Sequence, residues 1–470
     1  MLAQFLGELE RLLGPRGLTR DPALMEPWLT DWRGRYSGRA LALASPGSTA
    51  EVAAVVTLCA RHGVPIVPQG GNSSMSGGAT PDASGTALLL SLRRLDAIGP
   101  VEGSQVRCGA GVILQNLHDT AERHGQRFPL TLGGKGSATI GGLIATNAGG
   151  TQVLRHGTMR DQVLGIEAVL ADGSVIDLMT ALRKDNRGFD LKQLLIGSEG
   201  TLGIVTAATL RLRPKVAGRC VLWAAMDTVH DARKLLLLAQ ERVGAALEGF
   251  EILPQHCLAA VLDYLPSARA PLAQPSAWQA LIELVADNEP AAARLPDLAQ
   301  DLLGEALADG LISDATIAAS ETQAEALWQL RDTISPAERA VGPAMQHDIA
   351  VPVAAMADFI AAAIPAVEAR FPGTTALAFG HLGDGNVHFH VLAPPGAARG
   401  AWEADQGAEI SRFVHEQVIA WRGSISAEHG IGQMKREEFL RLADPVRLAM
   451  MRAIKQALDP QGLLNPGKLL

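Results

Sequence analysis

Val64-Pro-Ile-Val-Pro-Gln-Gly70-Gly71-Asn72-Ser73-Ser74-Met75-Ser76-Gly77-Gly78 is an apolar run that breaks straight into glycine, serine and asparagine. The β-branched start predicts a buried strand over Val64–Val67. Consecutive glycines after it let backbone N–H groups converge into an anion-binding nest, and the hydroxyls add donors without bulk. A diphosphate suits that chemistry, although a flexible hairpin reads the same way from this loop alone.

Working outward, residues 1–35 read as an opening helix and a Pro-punctuated connection. Leu41–Ala44 reads as a short strand, and Ser48-Thr-Ala-Glu51 as a capping box opening a helix through His62. Strands are expected at Ala87–Leu92, Val106–Cys108, Val163–Leu170, Val175–Leu178 and Leu202–Arg213, with a helix from Gly111 to His124. Pro214 closes this block. Two more glycine-rich segments lie inside it. Leu132-Gly-Gly-Lys-Gly136-Ser137 through Gly141-Gly142, Asn147 and Gly149-Gly150 is too apolar for a solvent loop and too glycine-rich for a core helix. Backbone lying close against a flat ligand explains both features. Gly197-Ser-Glu199-Gly200-Thr-Leu-Gly203-Ile204 is the third segment.

The block from about 216 to 425 has a different texture. Ala/Leu-rich helices at Asp231–Val243, Ala291–Ala308, Glu321–Thr333 and Val353–Arg370 alternate with short strands at Arg219–Ala225, Ala280–Val285, Thr375–Phe379 and Val387–Leu392. Helices laid on an antiparallel sheet bury such a pattern. The tail reads as helical from Met434 to Leu458. The expected organisation is α+β, with residues 1–215, 216–425 and 426–470 as its parts.

Composition narrows the function. The chain has 470 residues, 47% hydrophobic and 19% charged, and a net charge of −8, so a disordered chain and a basic nucleic-acid binder are disfavoured. Its four cysteines form no CxxC, which argues against a zinc ribbon, thioredoxin chemistry or an iron–sulfur cluster held by this chain alone. Scattered thiols, no apolar run of about 20 residues and an acidic amphipathic Met1–Gly17 stretch instead of a signal peptide point to a cytoplasmic protein. A P-loop and a Gly-x-Ser-x-Gly elbow are absent, and Gly109-Ala-Gly111 lacks the third glycine of a dinucleotide fingerprint.

Gly380-His381-Leu-Gly-Asp384-Gly-Asn386-Val-His388-Phe-His390 lies between two strand-like runs, and Ser426-Ala-Glu428-His429-Gly430 follows later. His388 and His390 share one strand face. Two histidines and a carboxylate with an open position suit a catalytic divalent metal such as zinc. Lone histidines are more often ordinary core or surface residues, and spacing alone does not choose between these readings.

The three glycine-rich segments, in this order, resemble the flavin-binding domain of the vanillyl-alcohol oxidase type, in which two small α/β subdomains clasp FAD. The resemblance extends through Asp31-Trp-Arg-Gly-Arg-Tyr36, Phe189-Asp-Leu-Lys-Gln-Leu-Leu195 and Asn465-Pro-Gly-Lys468. It is most specific to the FAD-linked D-2-hydroxyacid dehydrogenases, the group of D-2-hydroxyglutarate and D-lactate dehydrogenases and glycolate oxidase subunits. It implies an FAD-binding domain followed by a substrate (cap) domain, with a C-terminal segment returning to the first.

Carried over position by position, the resemblance has Gly70, Gly71, Asn72, Ser73 and Ser74 wrapping the pyrophosphate. Ser137, Gly141, Gly142, Asn147, Gly149 and Gly150 line the flavin, with Glu199, Ile204 and Asn465 on its other side. Relatives with covalent flavin have His where Asn72 stands, which implies a dissociable FAD. The metal ligands become His381, His388 and Glu428, with His390 structural or a substitute ligand. His429 is the candidate base, Asn386 orients the substrate oxygen, and Arg331 clamps the carboxylate, with Ser335 nearby. Gln346 departs from the pattern, because D-2-hydroxyglutarate-type relatives have Lys there. The implied reaction oxidises a D-2-hydroxy acid to a 2-oxo acid with hydride transfer to flavin N5. The alternatives are an oxygen-using oxidase and a flavoprotein subunit of an electron-transfer complex. A protein or quinone acceptor downstream is expected, no nucleic acid, and a homodimer is allowed for.

Overall fold

The computed structural model describes residues 2–182 and 184–470. The chain divides into two compact units, one made of Met1–Gly150, His156–Lys215 and Glu428–Leu470, the other of Thr151–Arg155 and Val216–Ala427.

The first unit holds two small sheets. One has the spatial order Leu18–Thr19, Leu43–Ala44, Leu88–Ser91, Ile66–Gln69, its last three strands parallel. Helix Thr49–His62 runs between two of them, its start fixed by Ser48 Oγ accepting from Glu51 N at 3.2 Å. The reciprocal half of the expected capping box differs: Glu51 accepts from Gly47 N at 2.7 Å. The second sheet is antiparallel, in the order Ile98–Glu102, Gln105–Gly109, Ile204–Arg211, Val163–Val169, Val175–Leu178. One aliphatic core, including Val52, Val56, Ile66, Leu88, Leu90, Ile140, Ile166 and Leu210, joins the sheets and helices. The C-terminal segment docks beside Ile66, whose N–H donates to Leu463 O and whose carbonyl accepts from Asn465 N, both at 2.8 Å.

The second unit is built on a seven-stranded antiparallel sheet, ordered Asp314–Ile317, Gly218–Met226, Trp278–Ala286, Leu247–Pro254, Thr375–His381, Asn386–Leu392, Ala344–Ala350. One face packs against helices Val229–Val243, Leu295–Ala308, Met356–Arg370 and Ala401–Ala420. The other face meets Gln255–Tyr264, Glu321–Asp332 and Ile334–Val341 around Trp223, Leu281, Leu377 and Phe379. The α+β architecture is as expected, with both faces of the large sheet covered. Residues 151–155 fall with this unit because Arg155 pairs with Glu248 at 3.0 Å and Asp287 at 2.8 Å.

Several elements differ from the sequence expectation. Strands Leu247–Pro254 and Ala344–Ala350 are unexpected, because buried Glu248, Glu251, His347 and Asp348 interrupt their apolar pattern. The stretch after Leu132 contains a short helix, Ile140–Thr146. The tail splits into Arg436–Leu442 and Pro445–Leu458, since Pro445 has no N–H to continue the first helix. Among the described residues no helix is long and apolar enough to cross a membrane. All four cysteines are free and buried, and burial pushes the Cys59 and Cys108 thiols up to about 12.

Candidate functional site

In the first unit the glycine-rich segments meet main chain to main chain. A Cβ on Gly71 would sit 1.8 Å from Ser137 O, and one on Gly70 would sit 2.1 Å from Thr139 Oγ1. Loop 70–74 is therefore pressed against the segment that leads into helix Ile140–Thr146. Gly141 and Gly142 lie in that helix's first turn, Asn147 caps its end, and Gly149 and Gly150 follow, both buried. Ser73 and Ser74 are half-buried, and Ser137 is exposed.

Backbone conformation marks the same residues. Six described residues other than glycine have φ in the left-handed region, and four of them are Asn72, Asn147, Glu199 and Asn465. Such backbone persists only where neighbours hold it, and it clusters at functional sites. The holding bonds are visible. Asn72 Nδ2 donates to Thr30 O at 2.8 Å, and Asn147 Oδ1 accepts from Arg160 N at 2.9 Å. Glu199 accepts from Ile431 N and Gly432 N, both at 2.7 Å, and Asn465 Nδ2 donates to Glu199 O at 2.7 Å. Burial pushes the Glu199 carboxyl up, against those two N–H bonds and Lys435.

The cradle fits a polar, flat ligand such as FAD. Thr139 Oγ1, Thr80 Oγ1 and Asn465 Oδ1 are buried without a protein partner, which such groups normally have. Ile204 is only 1% exposed and belongs to the core, so its main chain alone remains for a ligand. The sequence reading passed over Arg93, which donates to Gly70 O at 3.3 Å and Gly71 O at 3.1 Å while stacking on Trp28. Two like-oriented carbonyls drawn to one guanidinium are a signal only the fold reveals.

In the second unit, strand pairing assembles the polar set. His381 pairs with Asn386 on one side and Glu251 on the other. Asp348 stands opposite His388, and Gln346 opposite His390. Asn386 Nδ2 donates to Asp348 Oδ1 and Ile349 O, both at 2.9 Å, and its Oδ1 is buried without a partner. The rings of His381 and His388 lie side by side, their centroids 5.6 Å apart, while Glu428 belongs to the first unit. Burial, with His381 and Arg331 adding to it, pushes the His388 imidazole well below its usual value and keeps it neutral. Two imidazoles with a carboxylate are a donor set that fits a divalent cation.

His390 is not part of that group. Its Nδ1 bonds to Glu338 Oε2 at 2.5 Å inside the unit. Arg331, at the end of helix Glu321–Asp332, is anchored: Nε donates to Glu251 Oε2 at 2.9 Å and a terminal nitrogen to His381 Nε2 at 3.2 Å. Ser335 and Gln346 are half-buried, on the next helix and on strand Ala344–Ala350. His429 is half-buried, and its carbonyl accepts from Ser76 Oγ at 3.0 Å. Glu251, 1% exposed, escaped the sequence reading because a lone glutamate in an apolar run carries no motif.

Comparison with known proteins adds to this geometry. Residues 216–469 match the model of the FAD linked oxidases, C-terminal domain, and residues 40–179 that of the FAD binding domain. The chain is 37% identical over 464 residues to the probable mitochondrial D-2-hydroxyglutarate dehydrogenase of Oryza sativa subsp. japonica, covering 98% of this chain and 80% of that protein. It is 36% identical over 458 residues to the D-2-hydroxyglutarate dehydrogenase of Xanthomonas citri pv. viticola, covering 96% and 94%. In fold alone it is similar to p-cresol methylhydroxylase with substrate bound, at a TM-score of 0.74 and 14% identity, covering 99% and 96%.

Proposed function

Because the chain belongs to the FAD-linked oxidases and is an FAD-dependent oxidoreductase, we propose that it dehydrogenates D-2-hydroxy acids to 2-oxo acids at a divalent-metal centre held by His381, His388 and Glu428. The observation that carries this reading is a candidate ligand group of two imidazoles and a carboxylate in a flavoprotein whose relatives are D-2-hydroxyglutarate dehydrogenases. When bound, FAD would supply the hydride acceptor, and a cation such as zinc would supply stabilisation of negative charge on the substrate hydroxyl.

The chain's own residues do the rest. Arg331 grips the substrate carboxylate with a guanidinium whose Nε edge is anchored on Glu251. Asn386, its amide nitrogen committed to Asp348 and Ile349, orients the substrate oxygen. His429 takes the hydroxyl proton at its ring nitrogen as general base. The Ser335 hydroxyl and the Gln346 amide face the remainder of the acid. Asn72 cannot form a covalent flavin bond, so acid precipitation leaves the yellow colour in the supernatant; a yellow pellet contradicts this.

The four cysteines are buried and far apart in the sequence, a poor set for a cluster, so a partner or quinone collects the electrons. The test is anaerobic mixing of the purified, FAD- and metal-replete chain with D- and L-2-hydroxy acids. D-2-hydroxyglutarate or D-lactate should bleach the flavin, and the L-enantiomers should not. A flavin that no D-acid bleaches overturns the reading in favour of a subunit active only in a larger complex.

A further inference from the structure

We propose that Glu251 is a positioning residue: the two oxygens of its one carboxylate fix the metal-ligating tautomer of His381 and the pose of Arg331 at the same time. The inference rests on the metal centre proposed above and adds a residue to it.

Glu251 sits in the middle of strand Leu247–Pro254, directly opposite His381. Its Oε1 bonds to His381 Nδ1, and its Oε2 accepts from Arg331 Nε at 2.9 Å. Arg331 closes the triangle by donating to His381 Nε2 at 3.2 Å. An ionised carboxylate can only accept and a guanidinium can only donate. Both contacts therefore demand the same imidazole, protonated at Nδ1 with its lone pair at Nε2. That lone pair is the one a metal needs, and a carboxylate on the far nitrogen also raises its basicity.

A second buried pair on the same sheet face supplies a contrast. His390 Nδ1 also bonds to a buried glutamate, Glu338, at 2.5 Å. Among the described residues Glu338 spends only one oxygen, its Oε1 being buried without a partner, and no arginine shares it. A buried Glu–His bond is thus not special here; the arginine on the second oxygen is.

Glu251→Gln separates the two tasks, because an amide has one acceptor where the carboxylate has two. If its oxygen serves His381, its NH2 opposes the Arg331 donor. If its oxygen serves Arg331, its NH2 forces His381 into the other tautomer, which cannot ligate through Nε2.

The experiment strips the full-length, FAD-loaded protein of metal and titrates zinc against a chromophoric chelator. Glu251→Gln should bind zinc about 10–100-fold more weakly and raise KM for the D-acid, with FAD content unchanged. Glu251→Asp, which keeps both oxygens, should recover part of the loss, and Glu338→Gln should match the wild type. Zinc affinity in Glu251→Gln within twofold of the wild type overturns the role of Glu251 alone. A wild type that binds no zinc overturns the metal centre and this inference together. Should Glu251→Gln fail to fold, long-range 15N–1H correlation on metal-stripped wild type decides. His381 protonated at Nδ1, identified by its loss in His381→Gln, supports the proposal, and protonation at Nε2 overturns it.

Discussion

The glycine-rich cradle presents its chemistry as main chain, and the seven-stranded sheet presents its chemistry as side chains. Around Gly71, Asn147 and Asn465 the backbone is bent into left-handed turns and pressed loop against loop, while polar side chains serve mainly to hold it there. On the seven-stranded sheet Glu251, His381, Asn386 and His388 meet because neighbouring strands pair in register there. The difference matches what each must hold: a large flat cofactor touches many backbone groups, whereas a small acid needs a few charges well placed. Substitutions should therefore fail by shape in the glycine-rich cradle and by chemistry among the polar side chains proposed to hold metal and substrate.

The largest effect is expected at Gly71. A Cβ there meets a carbonyl oxygen that has no rotamer with which to yield. Gly71→Val should purify without yellow colour even with excess FAD; a variant that keeps its flavin breaks the main-chain half of the comparison. His429→Ala changes chemistry and not shape. It should keep both FAD and metal yet slow anaerobic flavin reduction by about 10²–10⁴-fold, as loss of a general base does.

Gln346→Lys sharpens the comparison by adding charge. Charge-assisted hydrogen bonds are worth roughly 1.5–3 kcal/mol against about 1 for neutral ones. The substitution should raise kcat/KM for D-2-hydroxyglutarate relative to D-lactate by about tenfold. An unchanged ratio means that another residue meets the distal carboxylate.

The smallest effect is a pH dependence of stability. Burial, opposed by Arg219, pushes the Glu283 carboxyl up to about 7. Its folded value then lies above the unfolded value of about 4.3, so its contribution is full below that value and declines as pH rises through about 7. Glu283→Gln should flatten this decline, by at most about 3 kcal/mol, in melting curves between pH 5 and 9. An undiminished slope in the variant assigns the decline to other groups.

The same contrast explains what could be read in the sequence. Glycine clusters after an apolar strand are local signals, so the cradle segments, the α+β class and the first unit's helix Thr49–His62 were legible. Histidines 388 and 390 were placed on one face by alternation alone. Sequence could not separate them, because the difference lies in Glu338, 52 residues away along the chain. Strands Leu247–Pro254 and Ala344–Ala350 were hidden for a related reason: their buried acids are tolerable only beside Arg155, Arg331 or Asn386, partners supplied by the fold. Glu251 and Arg93 act through such partners and left no trace in any short stretch.

The central claim, metal-assisted oxidation at a flavoprotein, is tested most directly by one single-turnover measurement. The FAD-loaded protein is divided into metal-replete, chelator-stripped and zinc-restored samples and mixed anaerobically with D-2-hydroxyglutarate or D-lactate. All three should retain FAD; the replete and restored samples should bleach, and the stripped one should stay yellow. Equal bleaching rates in the stripped and replete samples would contradict the account.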